Sequence, residues 1–170
     1  EDRDAVRQEL LAGLLATPAR TSPKYLYDAL GSRLFEAITA LPEYYPTRTE
    51  ATILAAQGAA LAACLPRGAT LIDLGAGNCA KAASLFDLLA PARYVAVDIS
   101  VDFLRDALQT LQYRYPALDM VGVGLDFSAG LALPGTLDDA AAPRVLFYPG
   151  SSIGNFTPVQ ALGFLRSVHA

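Results

Sequence analysis

Four short stretches hold the residues best suited to chemistry. The first reads Asp73-Leu74-Gly75-Ala76-Gly77-Asn78-Cys79-Ala80-Lys81. Gly75 and Gly77 have no Cβ, so backbone can lie against a ligand there, and the helix that follows offers amide N–H groups at its start. The pattern matches G-x-G-x-x-A, which dinucleotide folds use. A tight strand-to-helix turn with no ligand would read the same way. Asp73 tips the balance. A carboxylate two residues before the first glycine does nothing for a pyrophosphate, but it suits a ligand presenting an ammonium, such as the methionine part of S-adenosylmethionine. A charge-assisted hydrogen bond of that kind contributes about 1.5–3 kcal/mol. Lys81 stands where the helix dipole disfavours a cation, which points to a partner such as a ligand carboxylate; a solvated surface lysine is the alternative.

The other three stretches follow in order. Asp98 comes 21 residues after Gly77, placed to accept ribose hydroxyls in NAD and S-adenosylmethionine alike, or to cap a helix, a task Ser100 can also perform. Asp126-Phe127 pairs an acid for an adenine amino group with a ring to lie against the base, although Phe127 suits a core equally well. Tyr148-Pro149-Gly150-Ser151-Ser152-Ile153-Gly154-Asn155-Phe156 is a polar loop whose two glycines permit close approach by a substrate. Asn155-Phe156-Thr157 also fits a glycosylation sequon, a reading that a cytosolic chain with Pro158 next disfavours. The single histidine, His169, is given no catalytic role.

These residues need a frame, and the apolar periodicity predicts one. Val6, Leu10, Leu11, Leu14 and Leu15 mark a helix over about 4–16, and Leu26, Leu30, Leu34, Phe35 and Ile38 mark a second. Leu41-Pro42-Glu43-Tyr44-Tyr45-Pro46 reads as a constrained loop, with Tyr45 extended because it precedes proline. A third helix is expected over 47–65, capped by Thr47 or Thr49 and with Glu50 in its first turn. Strands are expected at 69–74, 94–98, about 120–125 and 144–148, with helices over 80–89 and 100–115 between them, a loop over 128–143, and a last helix opening at Thr157-Pro158. Strands alternating with helices predict an α/β, Rossmann-like parallel sheet. Residues 1–68 form an expected N-terminal helical region and 69–170 the sheet domain. Ligands of such a sheet gather beyond its carboxyl edge.

Composition fits that frame and narrows the classes. The 170 residues are 53% hydrophobic and 18% charged, enough apolar material for a packed core and too few charges for disorder. The net charge of −4 provides no broad basic surface for nucleic acid. Cys64 and Cys79 are too few for a disulfide framework, no apolar run reaches membrane-spanning length, and no signal sequence opens the chain; we expect a cytoplasmic protein with no metal site.

In several separated motifs the sequence resembles the S-adenosylmethionine-dependent histidine-specific methyltransferases, which trimethylate the α-amino group of L-histidine to hercynine on the way to ergothioneine. The resemblance covers nearly the whole chain. It rests on Tyr27-Asp28-Ala29-Leu30-Gly31-Ser32 with Leu34-Phe35, on Leu41-Pro42-Glu43-Tyr44-Tyr45-Pro46-Thr47-Arg48-Thr49-Glu50, and on the glycine turn with Lys81. It rests also on Val97-Asp98-Ile99-Ser100, Asp126-Phe127 and Phe147-Tyr148-Pro149-Gly150-Ser151-Ser152-Ile153-Gly154-Asn155-Phe156. It implies a class I methyltransferase sheet in which Gly75, Lys81, Asp98, Asp126 and Phe127 hold the cofactor. It implies further that Tyr44, Gly150 and Asn155 contact the histidine substrate, with Tyr27 close by. The catalytic residue stays unassigned, since methyl transfer to a neutral amine demands alignment and exclusion of water more than a strong base.

The sequence departs mildly from the family in Asp73, where Glu is commoner, and in Ala76 and Asn78-Cys79. Its larger departure is length. Family members are about twice as long, with further strands and an inserted substrate domain that reads the imidazole. The chain opens at Glu1 without Met and stops at Ala170 inside a helical pattern, so we expect a cofactor-binding piece of a longer enzyme, inactive alone. Two alternatives remain: a methyltransferase of this fold acting on another amino acid or small amine, and a non-catalytic nucleotide-binding module.

Overall fold

Two adjacent apolar runs, 70–74 and 93–98, build the centre of the molecule. The computed structural model describes residues 3–127, 130–135 and 142–169. In it β1 (Thr70–Leu74) is buried along its whole length, and β2 (Arg93–Asp98) is buried except at its two ends. Near-continuous hydrophobic strands of this kind belong to parallel sheets covered on both faces. β3 (Asp119–Gly124) and β4 (Arg144–Phe147) complete four parallel strands in the order β3-β2-β1-β4.

Strand alternation sends side chains to two cores. Leu71, Tyr94 and Ala96 pack with Phe86, Leu104 and Leu111, which belong to α5 (Phe86–Leu89) and α6 (Val101–Arg114). Ile72, Leu74, Val95 and Val97 pack with Phe164 of α7 (Pro158–His169). The Leu, Ile and Val side chains of β1 and β2 in these cores are each at most 2% exposed, and such burial contributes about 1.5–3 kcal/mol apiece, so the sheet is a firm platform for whatever its carboxyl edge carries. The chain steps outward from β1 through β2 to β3, then returns to the other side of β1 as β4. Strand order therefore reverses between β1 and β4, the place where open parallel sheets bind ligands.

Three helices precede the sheet: α1 (Arg3–Leu14), α2 (Ala29–Thr39) and α3 (Tyr45–Ala63). A 3₁₀ turn over Pro23–Leu26 takes up the start of the expected second helix, and Asp28 caps α2 by accepting from Gly31 N at 2.7 Å. The expected loop 41–46 is shorter than the sequence suggests. Tyr45 is already helical and Tyr44 is the N-cap, because proline fits the first turn of a helix, where its missing N–H costs nothing. Thr47 and Thr49 are consequently inside α3 and cap nothing, and Glu50 lies in the second turn. Against β1, the predicted helix 80–89 divides into α4 (Ala80–Ala83) and α5, interrupted at Ser84-Leu85. α7 opens on a capping box: Gln160 Oε1 accepts from Thr157 N at 2.9 Å while Thr157 Oγ1 accepts from Gln160 N at 3.3 Å. Of the expected loop 128–143, residues 128–129 and 136–141 lie outside the described residues.

Candidate functional site

The glycine turn is strapped to the end of β2. Gly75 and Gly77 have φ of 72° and 54°, and Cys79, also left-handed at 61°, begins α4. The amides of Gly75 and Ala76 both donate to Val97 O, at 2.9 and 3.1 Å, and that of Gly77 to Asp98 Oδ2 at 2.9 Å. Cys79 N donates to Ala76 O and Ala80 N to Asn78 Oδ1. Five amides that the sequence leaves open for a ligand are thus engaged by the chain itself. A phosphate cradle works by aiming such amides at the anion; here the turn presents mainly bare backbone.

Beneath the turn lies Asp73, 1% exposed. Tyr94 O–H donates to its Oδ2 at 2.8 Å, and Oδ1 is buried with no hydrogen-bond partner. Burial pushes the carboxyl up to about 7, against the pull of the Tyr94 hydrogen bond and of the Lys81 charge. The same burial raises the neighbouring Cys79 thiol to about 12 and the Tyr94 phenol well above its ordinary range. Asp73 is therefore poised between its two forms, and a cation reaching Oδ1 would hold it ionised.

The tips of β2 and β3 carry the next acids. Asp98 is half-buried and accepts from Gly77 N and from Ser100 N, so it orders the turns on either side of it as well as facing the site. Ser100 occupies the N-cap of α6 but makes no side-chain cap bond. Asp126 stands 3.3 Å from Lys24, whose ammonium also meets Glu9 at 2.8 Å. The Phe127 ring reaches to 3.8 Å from where a Cβ on Gly75 would stand, and it meets Tyr148 edge-on with centroids 5.6 Å apart. Phe127 thus both covers the glycine turn and joins the core around Phe164. A cleft of about 220 Å³ opens beside it, lined by Phe127, Phe156, Gln160, Phe164 and Ser167 with two glycines; it has no ionisable group to hold a charged ligand end.

Above the carboxyl edge sit the residues before β1. Tyr27, Phe35 and Tyr44 form a ladder of edge-to-face rings, with centroids 5.8 and 5.9 Å apart. Burial raises the Tyr27 phenol, with Tyr44 and the Asp98 charge adding to the effect. Arg48 locks the turn before α3 by donating to the carbonyls of Leu41 and Pro42. Glu50, one helical turn beyond Pro46, reaches the ammonium of Lys81 at 2.5 Å and accepts from Gly150 N at 2.5 Å.

The structure therefore brings Lys81 together with Gly150 and Asp98 with the glycine turn, and it sets Tyr27 and Tyr44 each against Phe35. Asn155 lies exposed at the end of the 3₁₀ turn Ser152–Asn155, with no side-chain hydrogen bond among the described residues. Sequence reasoning gave Glu50 only a helix-dipole role and missed Lys24 and Glu36, whose Oε1 accepts from Asn78 Nδ2 at 3.1 Å. The unfavourable placement of Lys81 pointed to a partner, read from sequence as a ligand carboxylate; the structure supplies Glu50. Among the described residues no group of His, Cys, Asp and Glu could hold a metal, and no helix is long and apolar enough to cross a membrane.

Comparison with known proteins covers nearly the whole chain. A family described as histidine-specific methyltransferase, SAM-dependent, matches residues 6–170. A histidine N-alpha-methyltransferase of Mycolicibacterium smegmatis is 39% identical over 169 residues, covering 97% of this chain and 51% of its own length. One of Mycobacterium tuberculosis is 37% identical over 96% of the chain and 51% of its own length. A 4-dimethylallyltryptophan N-methyltransferase of Trichophyton verrucosum is 28% identical over 97% of the chain and 50% of its own length. The chain spans about half the length of these relatives.

Proposed function

This chain belongs to the S-adenosylmethionine-dependent histidine-specific methyltransferase family, and we propose that it forms the cofactor half of a cytoplasmic enzyme that methylates the α-amino group of L-histidine. In this reading residues 69–170 carry the cofactor, and residues 1–68 close over it and bring Tyr27 and Tyr44 to the acceptor. The observation that carries it is the glycine turn: its amides are engaged internally and a carboxylate with one free oxygen lies beneath it. That environment is poor for a pyrophosphate and good for an ammonium.

The residues fit S-adenosylmethionine. Asp73 Oδ1 is the acceptor for its ammonium, Lys81 is a donor for its carboxylate, Asp98 keeps lone pairs for ribose hydroxyls, and Asp126 with Phe127 takes the adenine. Gly75 and Gly77 let the ligand lie close to the turn. When bound, the cofactor would supply a methyl group on a positively charged sulfur, which would take the electrons of the C–S bond as an amine lone pair accepts the methyl, any N–H proton that the methylated nitrogen carries passing to water. This chain's own work is to align the amine and exclude solvent. Tyr44, Gly150 and Asn155 orient the amino acid, with Tyr27 beside them.

Methylation of a panel of amino acids by the full-length protein tests the reading; the expected result is turnover of L-histidine above all others. The tryptophan-derived acceptor in the name of the 28% identical relative favours a second reading, in which the same fold and cofactor serve a different amine. Turnover of another amino acid with none of histidine would establish that alternative. Calorimetry with S-adenosylhomocysteine and NAD separates both from a non-catalytic nucleotide module, because the buried carboxylate predicts heat with the first ligand only.

A further inference from the structure

We propose that Glu50 is a positioning residue for methyl transfer: its carboxylate holds the Lys81 ammonium and the Gly150 amide at once, fixing the cofactor side of the site against the substrate side. The proposal rests on the methyltransferase reading above. Three segments far apart in the chain converge on this carboxylate. Glu50 comes from the second turn of α3, Lys81 from α4 behind the glycine turn, and Gly150 from the loop after β4. One oxygen, Oε2, meets Lys81 Nζ at 2.5 Å, and the other, Oε1, accepts from Gly150 N at 2.5 Å.

The local backbone is shaped for this meeting. Gly150 has φ +78°, and a Cβ there would stand 3.1 Å from Lys81 Nζ, so a side chain at 150 would crowd the lysine ammonium as well as strain the turn. The ammonium thus lies directly against the loop expected to touch substrate. Lys81 has three N–H donors, so binding Glu50 leaves others for a ligand carboxylate. Glu50 lies within the same α3 whose N-cap is Tyr44, so one rigid helix sets both the acceptor ladder and the lysine.

Stability does not account for the arrangement. The side chains of Glu50 and Lys81 are 25% and 40% exposed, and ion pairs that open to water contribute little to folding. Alignment is more demanding: a misplacement of about 1 Å at an in-line displacement costs on the order of a hundredfold in rate.

The test uses the full-length enzyme with Glu50→Ala, Glu50→Gln and Lys81→Met, singly and as Glu50→Ala with Lys81→Met. Glu50→Ala is expected to lower kcat by about ten- to a hundredfold, with KM for histidine changing less than about threefold and Tm shifting by no more than a few degrees. Glu50→Gln keeps an acceptor for Gly150 N–H but loses the charge, so it should fall between wild type and alanine. In the Lys81→Met background the same alanine change should cost less than in wild type, because one of its two partners is already gone and only the Gly150 amide is left to release. Exchange of the Gly150 amide with solvent should quicken at least tenfold in Glu50→Ala, a readout independent of activity. Wild-type kcat in Glu50→Ala, or equal losses in both backgrounds, overturns the proposal. If Glu50→Ala does not fold, undiminished kcat in Glu50→Gln overturns it instead. An unaltered Gly150 exchange rate refutes the tether itself, whatever the enzyme methylates, whereas a wild-type protein inert towards every amine and every S-adenosyl ligand refutes the methyltransferase reading.

Discussion

Replacing Asp73 by asparagine should change how stability depends on pH, and the size of the change follows from its burial. The carboxyl has a pKa of 3.8 when unfolded and about 7 in the folded protein. Between those values the folded state holds a proton that the unfolded state has released. Stability contributed by this group is therefore complete below about pH 4 and is lost as pH rises through about 7. A displacement of about three pH units corresponds to about 4 kcal/mol in all, of which about 3 kcal/mol is lost between pH 5 and 8. Asp73→Asn cannot ionise, so its stability relative to wild type should improve by that amount over the same range. Urea unfolding of both proteins at pH 5, 6, 7 and 8 measures the gap directly, and titrations common to both proteins cancel in the comparison. A gap that stays constant from pH 5 to 8 would mean that Asp73 does not titrate there and that the burial argument is wrong. The same chemistry appears in binding. An ammonium docked on Oδ1 would hold the carboxylate ionised, so S-adenosylhomocysteine should release a fraction of a proton at pH 6.5, seen as buffer-dependent heat, and Asp73→Asn should release none from this position.

Three further outcomes follow from the packing. Of the two cysteines, Cys64 is exposed while Cys79 is buried with its thiol raised to about 12, so at pH 8 a thiol reagent should label one site per native chain and two in guanidinium; two rapid equivalents without denaturant would contradict the buried placement. Gly58 faces α5, where an added Cβ would meet Leu88 Cδ1 at 2.9 Å and Leu85 Cδ2 at 3.3 Å. Since those are ends of flexible side chains, Gly58→Ala should stay within about 1 kcal/mol of wild type, helix propensity offsetting the crowding, whereas Gly58→Val should cost about 1–3 kcal/mol in urea unfolding. Tyr44→Phe keeps the ring against Phe35 and loses only the hydroxyl, so Tm should hold while KM for histidine in the full-length enzyme rises by about tenfold, one hydrogen bond's worth; an unchanged KM would remove Tyr44 from the substrate contacts.

The strands were legible because each is an apolar run that stops at a chemical residue. Thr70–Leu74 halts at Gly75, and Arg93–Asp98 halts at its own acid. Their parallel pairing followed from the helices between them, and the reversal of order between β1 and β4 could not be read, since nothing local to β4 says which side of β1 it joins. Helix edges were less legible for the same kind of reason. The preference of a residue before proline for extended backbone favoured an extended Tyr45, yet Arg48, two residues beyond Pro46, ties the carbonyls of Leu41 and Pro42 and lets the helix begin early. The break at Ser84-Leu85 leaves the apolar spacing of 80–89 intact, so periodicity alone runs through it.

Charge explains why the acids of the site were easy to find and their partners were not. Asp73, Asp98 and Asp126 sit at strand tips, a position that topology makes conspicuous. Glu50 is one acid in a helix, and its link to Gly150 spans 100 residues, a distance no local pattern encodes. The sequence contains two lysines, and the fold places both between the helices that precede the sheet and the sheet's carboxyl edge. Lys24 joins Glu9 to Asp126, and Lys81 joins Glu50 to the glycine turn. Each lysine therefore arrives with an acid from the N-terminal helices already beside it. Asp98 has no ion-paired cation among the described residues, and Asp73, buried beneath the turn, adds a second carboxylate whose charge is only partly developed near neutral pH. A ligand lying there meets an excess of negative charge under a backbone with few free amides, which penalises a pyrophosphate and rewards a cation. S-adenosylmethionine, with its sulfonium and ammonium, meets that condition on both counts, and the pairing of the lysines is what leaves the condition in place.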